Sequence, residues 1–426
     1  MRLTAFQSDK GDCLLLTNTA GTTRILVDGG MPVSYDAHVA AAMGKLQVAK
    51  KALDIVYVSH IDQDHIGGVL KMLDDEAEWR VHEFQKTNKN PNSKAPTVPR
   101  PPKVKEIWHN GFGELLKDLA KPIGDALSAM APVLAGSDLS EIRREALEQS
   151  DLVTSIGEAI KVSRRISPSQ LNIPLNPRTA GKLMMLRNNQ QPIKIGGLTI
   201  TIIGPTDAHL KKLRDDWKTF LQSVNGKKQL KEIRDAARRT EELLGASEFD
   251  NLVSSLRLQA EMFGDPNEVT PPNLASLTLL VEDDSESLLL TGDARGDQIV
   301  DGLKQAGRLN GSPIEVGVMK VPHHGSENNI DSDFVEAVIA RDYVFCGNGF
   351  SGNPNTKVVE MMFRRRRAAS AKPFRFWFNN SEAASTKTAN KTHMAKVETL
   401  VKSLAKTATG QFTFRFLTKG SSIKIL

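Results

Sequence analysis

Four side chains able to bind a cation fall within six positions of this sequence: His60, Asp62, Asp64 and His65. Two imidazoles and two carboxylates with no cysteine among them suit zinc, and equally a harder ion such as manganese, because carboxylate oxygens favour hard cations. A helix N-terminus decorated with acids would account for the aspartates but not for the histidines beside them. The preceding residues, 53–58, are apolar, β-branched and aromatic, and read as a buried strand. The group therefore stands at the carboxyl end of a strand, where open α/β sheets place ligands. In an extended loop, alternate side chains project the same way, which predicts His60, Asp62 and Asp64 on one side. His65 would then turn inward as the chain leaves for a helix.

The same arrangement recurs along the chain. A strand over 104–111 ends in His109, one over 287–291 leads to Asp293, and one over 315–321 ends in Pro322-His323-His324-Gly325-Ser326. Five of the nine histidines thus lie at strand ends, which a random scatter would not produce. A strand over 23–27 runs into Asp28-Gly29-Gly30, a tight turn whose carboxylate can accept bonds from backbone N–H groups or from a ligand histidine. Asp28 is therefore expected behind the ligands rather than among them. A polar loop over 347–355 joins the same rim.

The elements that must position these residues are legible at coarse grain. Helices are expected over 36–50, over 67–73 ending in the acidic cluster 74–76, over 331–340, over 356–363 and over 393–404. Strands are expected over 3–6, 12–17, 374–378, 410–417 and 423–426, with a hairpin at Gly196-Gly197. Residues 112–186 and 207–272 carry helical spacing and blocks of charge, and read as two helical insertions in a single domain spanning 1–426. The arginine run 364–367 reads as a solvated helix end that complements the helix dipole, with phosphate contact as the alternative.

A chain of 426 residues, 40% apolar and 25% charged, has the composition of a soluble globular protein and excludes a disordered one. No apolar run approaches the roughly 18 residues of a membrane span, and the start lacks a signal-peptide core, so a cytoplasmic location away from membranes is expected. Cys13 and Cys346 sit in apolar stretches and read as buried reduced thiols. A net charge of +6 is a mild bias toward polyanions.

The order Asp28, His60-x-Asp62-x-Asp64-His65, His109, Asp293, His323-His324 resembles the metallo-β-lactamase superfamily. That resemblance implies an α/β fold, a four-layer αββα sandwich whose two sheets converge on a dinuclear metal site. The His-x-Asp-x-Asp-His version, the opening residues 9–16, Leu289-Leu290-Thr291-Gly292-Asp293 and residues 321–326 look like the soluble domain of ComEC/Rec2-type competence proteins. Those are DNA-uptake channels with a nuclease-like domain. The chain departs from them in lacking a channel, in carrying the insertions, and in having Asn353-Pro354-Asn355 where such domains tend to have histidine.

Carried over by position, the resemblance implies that His60, Asp62 and His109 hold one of two divalent metal ions, zinc or manganese. Asp64 and His65 hold the other, and Asp293 bridges. One of His323 and His324 completes the second site while the other faces substrate. Two ions about 3.5–4 Å apart would share a hydroxide and clamp the oxygens of a displacement. Catalysis is expected to depend on Asp62, Asp64 and His324, with Lys320, Ser326 and Asn355 as candidate phosphate contacts. The leading expectation is a phosphodiesterase or nuclease acting on a nucleic acid or nucleotide. An acyl hydrolase, such as a lactonase or thioesterase, is the second. The third is a metal-stabilised component of a defence or competence complex, with the insertions docking protein partners.

Overall fold

A computed structural model describes residues 1–110, 151–211, 215, 275–284 and 286–426. Among these, two sheets stack face to face. The first has six strands in the order β14-β1-β2-β3-β4-β5 and the second has eight in the order β13-β12-β11-β10-β9-β8-β7-β6. The first contains β1 (Arg2–Phe6), β2 (Leu14–Thr17), β3 (Arg24–Val27), β4 (Leu53–Tyr57), β5 (Val104–Trp108) and β14 (Ser422–Lys424). The second contains β6 (Ile193–Ile195), β7 (Leu198–Gly204), β8 (Thr278–Asp283), β9 (Glu286–Leu290), β10 (Ile314–Lys320), β11 (Val338–Phe345), β12 (Phe374–Phe378) and β13 (Phe412–Phe416).

Period-two burial divides the apolar residues of each strand between two cores. Leu3, Leu14, Leu16, Ile25, Ile55 and Trp108 of the first sheet meet Ile200, Leu279, Leu288, Leu290, Val318 and Val344 of the second in the layer between them. On the outer face of the first sheet, Leu26, Val56 and Ile107 pack under α1 (Ala40–Val48), α2 (Gln63–Thr87) and α3 (Asp151–Ile166). On the outer face of the second, Leu289, Met319 and Phe376 pack under α4 (Gly296–Gln305), α5 (Ser332–Ala337), α6 (Thr356–Ala369) and α7 (Thr388–Thr407). The result is an αββα sandwich. The parallel strands β3, β4 and β5 of one sheet and β9, β10 and β11 of the other direct their carboxyl ends to a common edge.

Three expectations are corrected. The helix after β4 begins at Gln63 and runs to Thr87, so Asp64 and His65 occupy its first turn rather than an extended loop. It also continues through the acidic cluster at 74–76, where Lys71 pairs with Asp75 four residues on, as helical geometry allows. Asp12 lies ahead of β2, not inside it. Of the insertion 112–186, residues 111–150 lie outside the described residues. Residues 151–166 are helical, whereas 167–186 run as turns containing Pro168, Pro174 and Pro177, whose missing N–H groups preclude a continuous helix. The insertion 207–272 lies outside the described residues except for 207–211 and 215. No helix among the described residues is long and apolar enough to cross a membrane.

Candidate metal centre

The turn after β4 is shaped by what lies against it. Asp62 occupies the N-cap position of α2 yet makes no side-chain cap bond, and its Oδ2 stands 3.4 Å from His60 Nε2 instead. An aspartate at this position normally satisfies an orphan N–H of the first turn, so its carboxylate here is left for the site. Asp64 sits in the first turn, at the helix's positive end, which favours its ionised form. The backbone packs so closely that a Cβ on Gly11 would lie 1.8 Å from the Asp64 carbonyl, and one on Gly68 would lie 2.0 Å from the Gly29 carbonyl. The Asp12 N–H donates to that same Asp64 carbonyl over 3.2 Å. The loop ahead of β2 and the first turn of α2 are thus locked together.

Asp293, 2% exposed, lies at the centre. Its Oδ1 is 3.4 Å from His65 Nε2, and its Oδ2 is 3.3 Å from His324 Nε2, 3.6 Å from His323 Nε2 and 4.0 Å from His60 Nε2. His324 Nε2 is also 3.3 Å from Asp64 Oδ2. His323 and His324 are delivered by a turn after β10 in which both adopt left-handed backbone angles, φ 43° and 55°. For non-glycine residues this costs on the order of 1–3 kcal/mol each, a strain characteristic of functional sites. His324 is buried, whereas the His323 side chain is 27% exposed and its Nδ1 is hydrogen-bonded to Asn329.

The outer nitrogens of the two buried rings meet carboxylates. His65 Nδ1 is hydrogen-bonded to Asp28 Oδ2 at 3.0 Å, and Asp28 also accepts from the Ser59 N–H and hydroxyl. Asp12 faces His65 Nδ1 at 3.6 Å and His324 Nδ1 at 3.3 Å, so one carboxylate backs two imidazoles whose Nε2 atoms both point at Asp293. This is the arrangement by which outer carboxylates fix the tautomer and aim of metal-binding histidines. Asp12 was missed in the sequence because it precedes a strand instead of following one. Its place in the opening motif 9–16 was the available signal.

Lys320 lies 1% exposed at the end of β10, and its ammonium is in contact with Asp12, 3.4 Å from Asp293 Oδ1 and hydrogen-bonded to the Gly292 carbonyl. It is turned into the cluster, toward Asp12 and Asp293. Asn355 is likewise occupied: its oxygen caps α6 through the Lys357 N–H, and its amide donates to Glu327. The Ser326 hydroxyl, mostly buried, accepts the Asn328 N–H.

His109, 1% exposed at the end of β5, has both ring nitrogens buried without a partner. Its backbone is clamped by Asn176, which bonds both its N–H and its carbonyl. Burial, and then the neighbouring His60, push its pKa down to about 4, which keeps the imidazole neutral and able to donate a lone pair. Burial alone would raise the Asp12 carboxyl, but Lys320, His65 and His324 hold it down at about 2. Burial is outweighed in the same way at Asp293, held well below the usual carboxylate range by His324 and His65. His65 and His324 are pushed well above the usual imidazole range, because Asp293 and Asp12 outweigh burial.

Whether this cluster fits a metal is answered by its orphaned atoms. His60 Nε2, His65 Nε2, both nitrogens of His109 and His324 Nε2 are buried with no hydrogen-bond partner. A buried unpaired polar atom costs about 1–3 kcal/mol, so such a concentration requires a shared partner, and a divalent cation supplies one. Donor atoms of Asp12, His65, Asp293 and His324 lie within 4.8 Å of one another, the spacing of a cage around an ion. The residues fit.

The fold and this centre define an αββα sandwich with a buried Asp/His cluster that could hold a metal at one edge of its sheets. Residues 9–119 match the sequence model of the metallo-beta-lactamase superfamily, whose members are mostly hydrolases. That stretch contains Asp12, Asp28, His60, Asp62, Asp64, His65 and His109; Asp293, His323 and His324 come from beyond it. No curated protein matches the chain.

Proposed function

We propose that this protein is a metal-dependent phosphodiesterase acting on a nucleic acid or nucleotide. The observation that carries the reading is the ring of unpartnered imidazole nitrogens converging on Asp293 amid five carboxylates, those of Asp12, Asp28, Asp62, Asp64 and Asp293. Those five charges are offset by the Lys320 ammonium and by two divalent ions, and the counts balance. We assign His60, Asp62 and His109 to one ion, Asp64, His65 and His324 to the other, and Asp293 to both. A carboxylate in place of an imidazole at Asp62 favours harder cations such as manganese, with zinc the alternative.

Bound there, two such ions supply Lewis acidity and an activated water for in-line displacement at phosphorus. The protein's own groups do the rest. Asp12 and Asp28 hold the histidine rings in place, and Lys320 keeps Asp12 and Asp293 ionised. We assign to His323, the more open of the paired histidines, the transfer of a proton to the departing oxygen. The motif shared with ComEC/Rec2-type soluble domains supports the same substrate class. The test is hydrolysis of bis-p-nitrophenyl phosphate by manganese- or zinc-loaded protein. Cleavage abolished by Asp64→Ala supports the proposal, and strong lactone or thioester cleavage with no phosphodiester cleavage overturns it.

A further inference from the structure

The groups expected to meet a phosphate are occupied elsewhere: Lys320 by the cluster and Asn355 by α6. The mouth of the centre offers others. Residues 347–354 form a loop directly against it: a Cβ on Gly347 would lie 3.3 Å from His324 Cβ, and one on Gly325 would lie 3.1 Å from Pro354 Cβ. This loop holds Phe350, 40% exposed, and the Lys10 ammonium stands 4.9 Å from the centroid of its ring. The field of Lys10 reaches Asp64, and those of Lys10 and Lys387 both reach Asp9. Lys10 and the Phe350 ring therefore sit together at the loop that packs against His324.

The loop that carries the ring is held firmly. The Phe350 N–H donates to Asn348 Oδ1 over 3.0 Å, Asn348 donates in turn to Asp9, and the Ser385 hydroxyl donates to the Asn348 carbonyl over 2.9 Å. The Gly349 N–H closes the loop onto the Asn353 carbonyl over 2.9 Å, and a Cβ on Gly349 would lie 2.6 Å from the Asn390 carbonyl, so only glycine permits this approach to α7. A large apolar side chain kept partly in water by a loop this constrained, with an ammonium against its ring, has the makeup of a stacking platform. Any nucleobase offers a π face to such a ring, and the neighbouring ammonium offers charge to the attached phosphate.

We propose that Phe350 and Lys10 form a nucleotide subsite at the mouth of the metal centre, the ring stacking on an unpaired base and the ammonium meeting its phosphate. This rests on the phosphodiesterase reading and narrows its substrate to nucleotides or single strands, since a base inside a duplex cannot present its face.

The test compares binding of AMP and of ribose 5-phosphate to the full chain loaded with manganese, by calorimetry. The subsite predicts that AMP binds about tenfold more tightly than ribose 5-phosphate. Phe350→Ala should erase that preference, Phe350→Trp should preserve it, and Phe84→Ala, an exposed phenylalanine on α2, should leave it unchanged. Lys10→Ala should weaken both ligands alike. No preference in the unaltered protein, or one that survives Phe350→Ala, overturns the subsite. Cleavage of methyl p-nitrophenyl phosphate, which has no base, is measured separately on the unaltered protein. Its absence would count against the phosphodiesterase reading while the AMP comparison still decides the subsite.

Discussion

The ammonium of Lys320 is in contact with the Asp12 carboxylate where both side chains are almost fully shielded from water, 2% and 1% exposed. Removing one partner of a buried pair strands the other charge. Lys320→Met should therefore destabilise the metal-free protein by about 3–5 kcal/mol. Urea denaturation reads this directly, and a change below about 1 kcal/mol would show that the pair contributes little.

Asp12 backs the outer nitrogens of both His65 and His324, so its charge bears on how firmly both rings are aimed. Asp12→Asn keeps the shape and removes that charge. Metal affinity should fall about 10–100-fold, measured by competition with a chelator, and the visible spectrum of the cobalt-substituted protein should shift. Unchanged affinity and spectrum would remove Asp12 from this role.

His65 and His324 hold protons above the usual imidazole range in the metal-free cluster, because Asp293 and Asp12 outweigh burial. A raised folded-state pKa gives stability that is complete below the ordinary value of 6.5 and is lost as the pH rises through the folded-state value. The metal-free protein should accordingly lose stability on going from pH 6.5 upward. Because the metal must displace those protons, binding at pH 7 should release protons and apparent affinity should rise with pH. Calorimetry in buffers of different ionisation enthalpy measures the release, and a value of zero would contradict the assignment.

The paired histidines should separate by experiment. His324→Ala should lose one equivalent of metal, since its Nε2 faces both Asp64 and Asp293. His323→Ala should keep both ions while lowering kcat about 10²–10⁴-fold, the range for loss of a positioned proton donor. Metal analysis beside steady-state kinetics distinguishes them. Loss of metal in the His323 variant alone would reverse the roles.

Much of the sandwich and most of the cluster could be read from residue patterns. Strand ends such as β4, β9 and β10 carry an apolar run followed by a polar donor, and that local signal survives into the fold because buried parallel strands must be apolar throughout. Helix boundaries were read less well. The start of α2 at Gln63 was hidden because Asp62 resembles a loop residue, and its N-cap position yields no cap bond to mark it. The pairing of Lys320 with Asp12 was not legible because nothing in the sequence reveals that a residue 308 positions away would be its partner. Asn355 caps α6 and bonds Glu327, a role the sequence did not separate from phosphate contact because an N-cap asparagine and a phosphate-binding one carry the same side chain. The different exposure of His323 and His324 follows two adjacent left-handed backbone angles, which sequence does not display.

Metal content of the purified protein and of its Asp293→Ala variant tests the central claim most directly, since Asp293 lies within 4.0 Å of His60, His65, His323 and His324. Two equivalents of divalent metal per chain in the first and at most one in the second is the predicted result. No bound metal in the unaltered protein after incubation with manganese or zinc, or a full two equivalents in the variant, would contradict it.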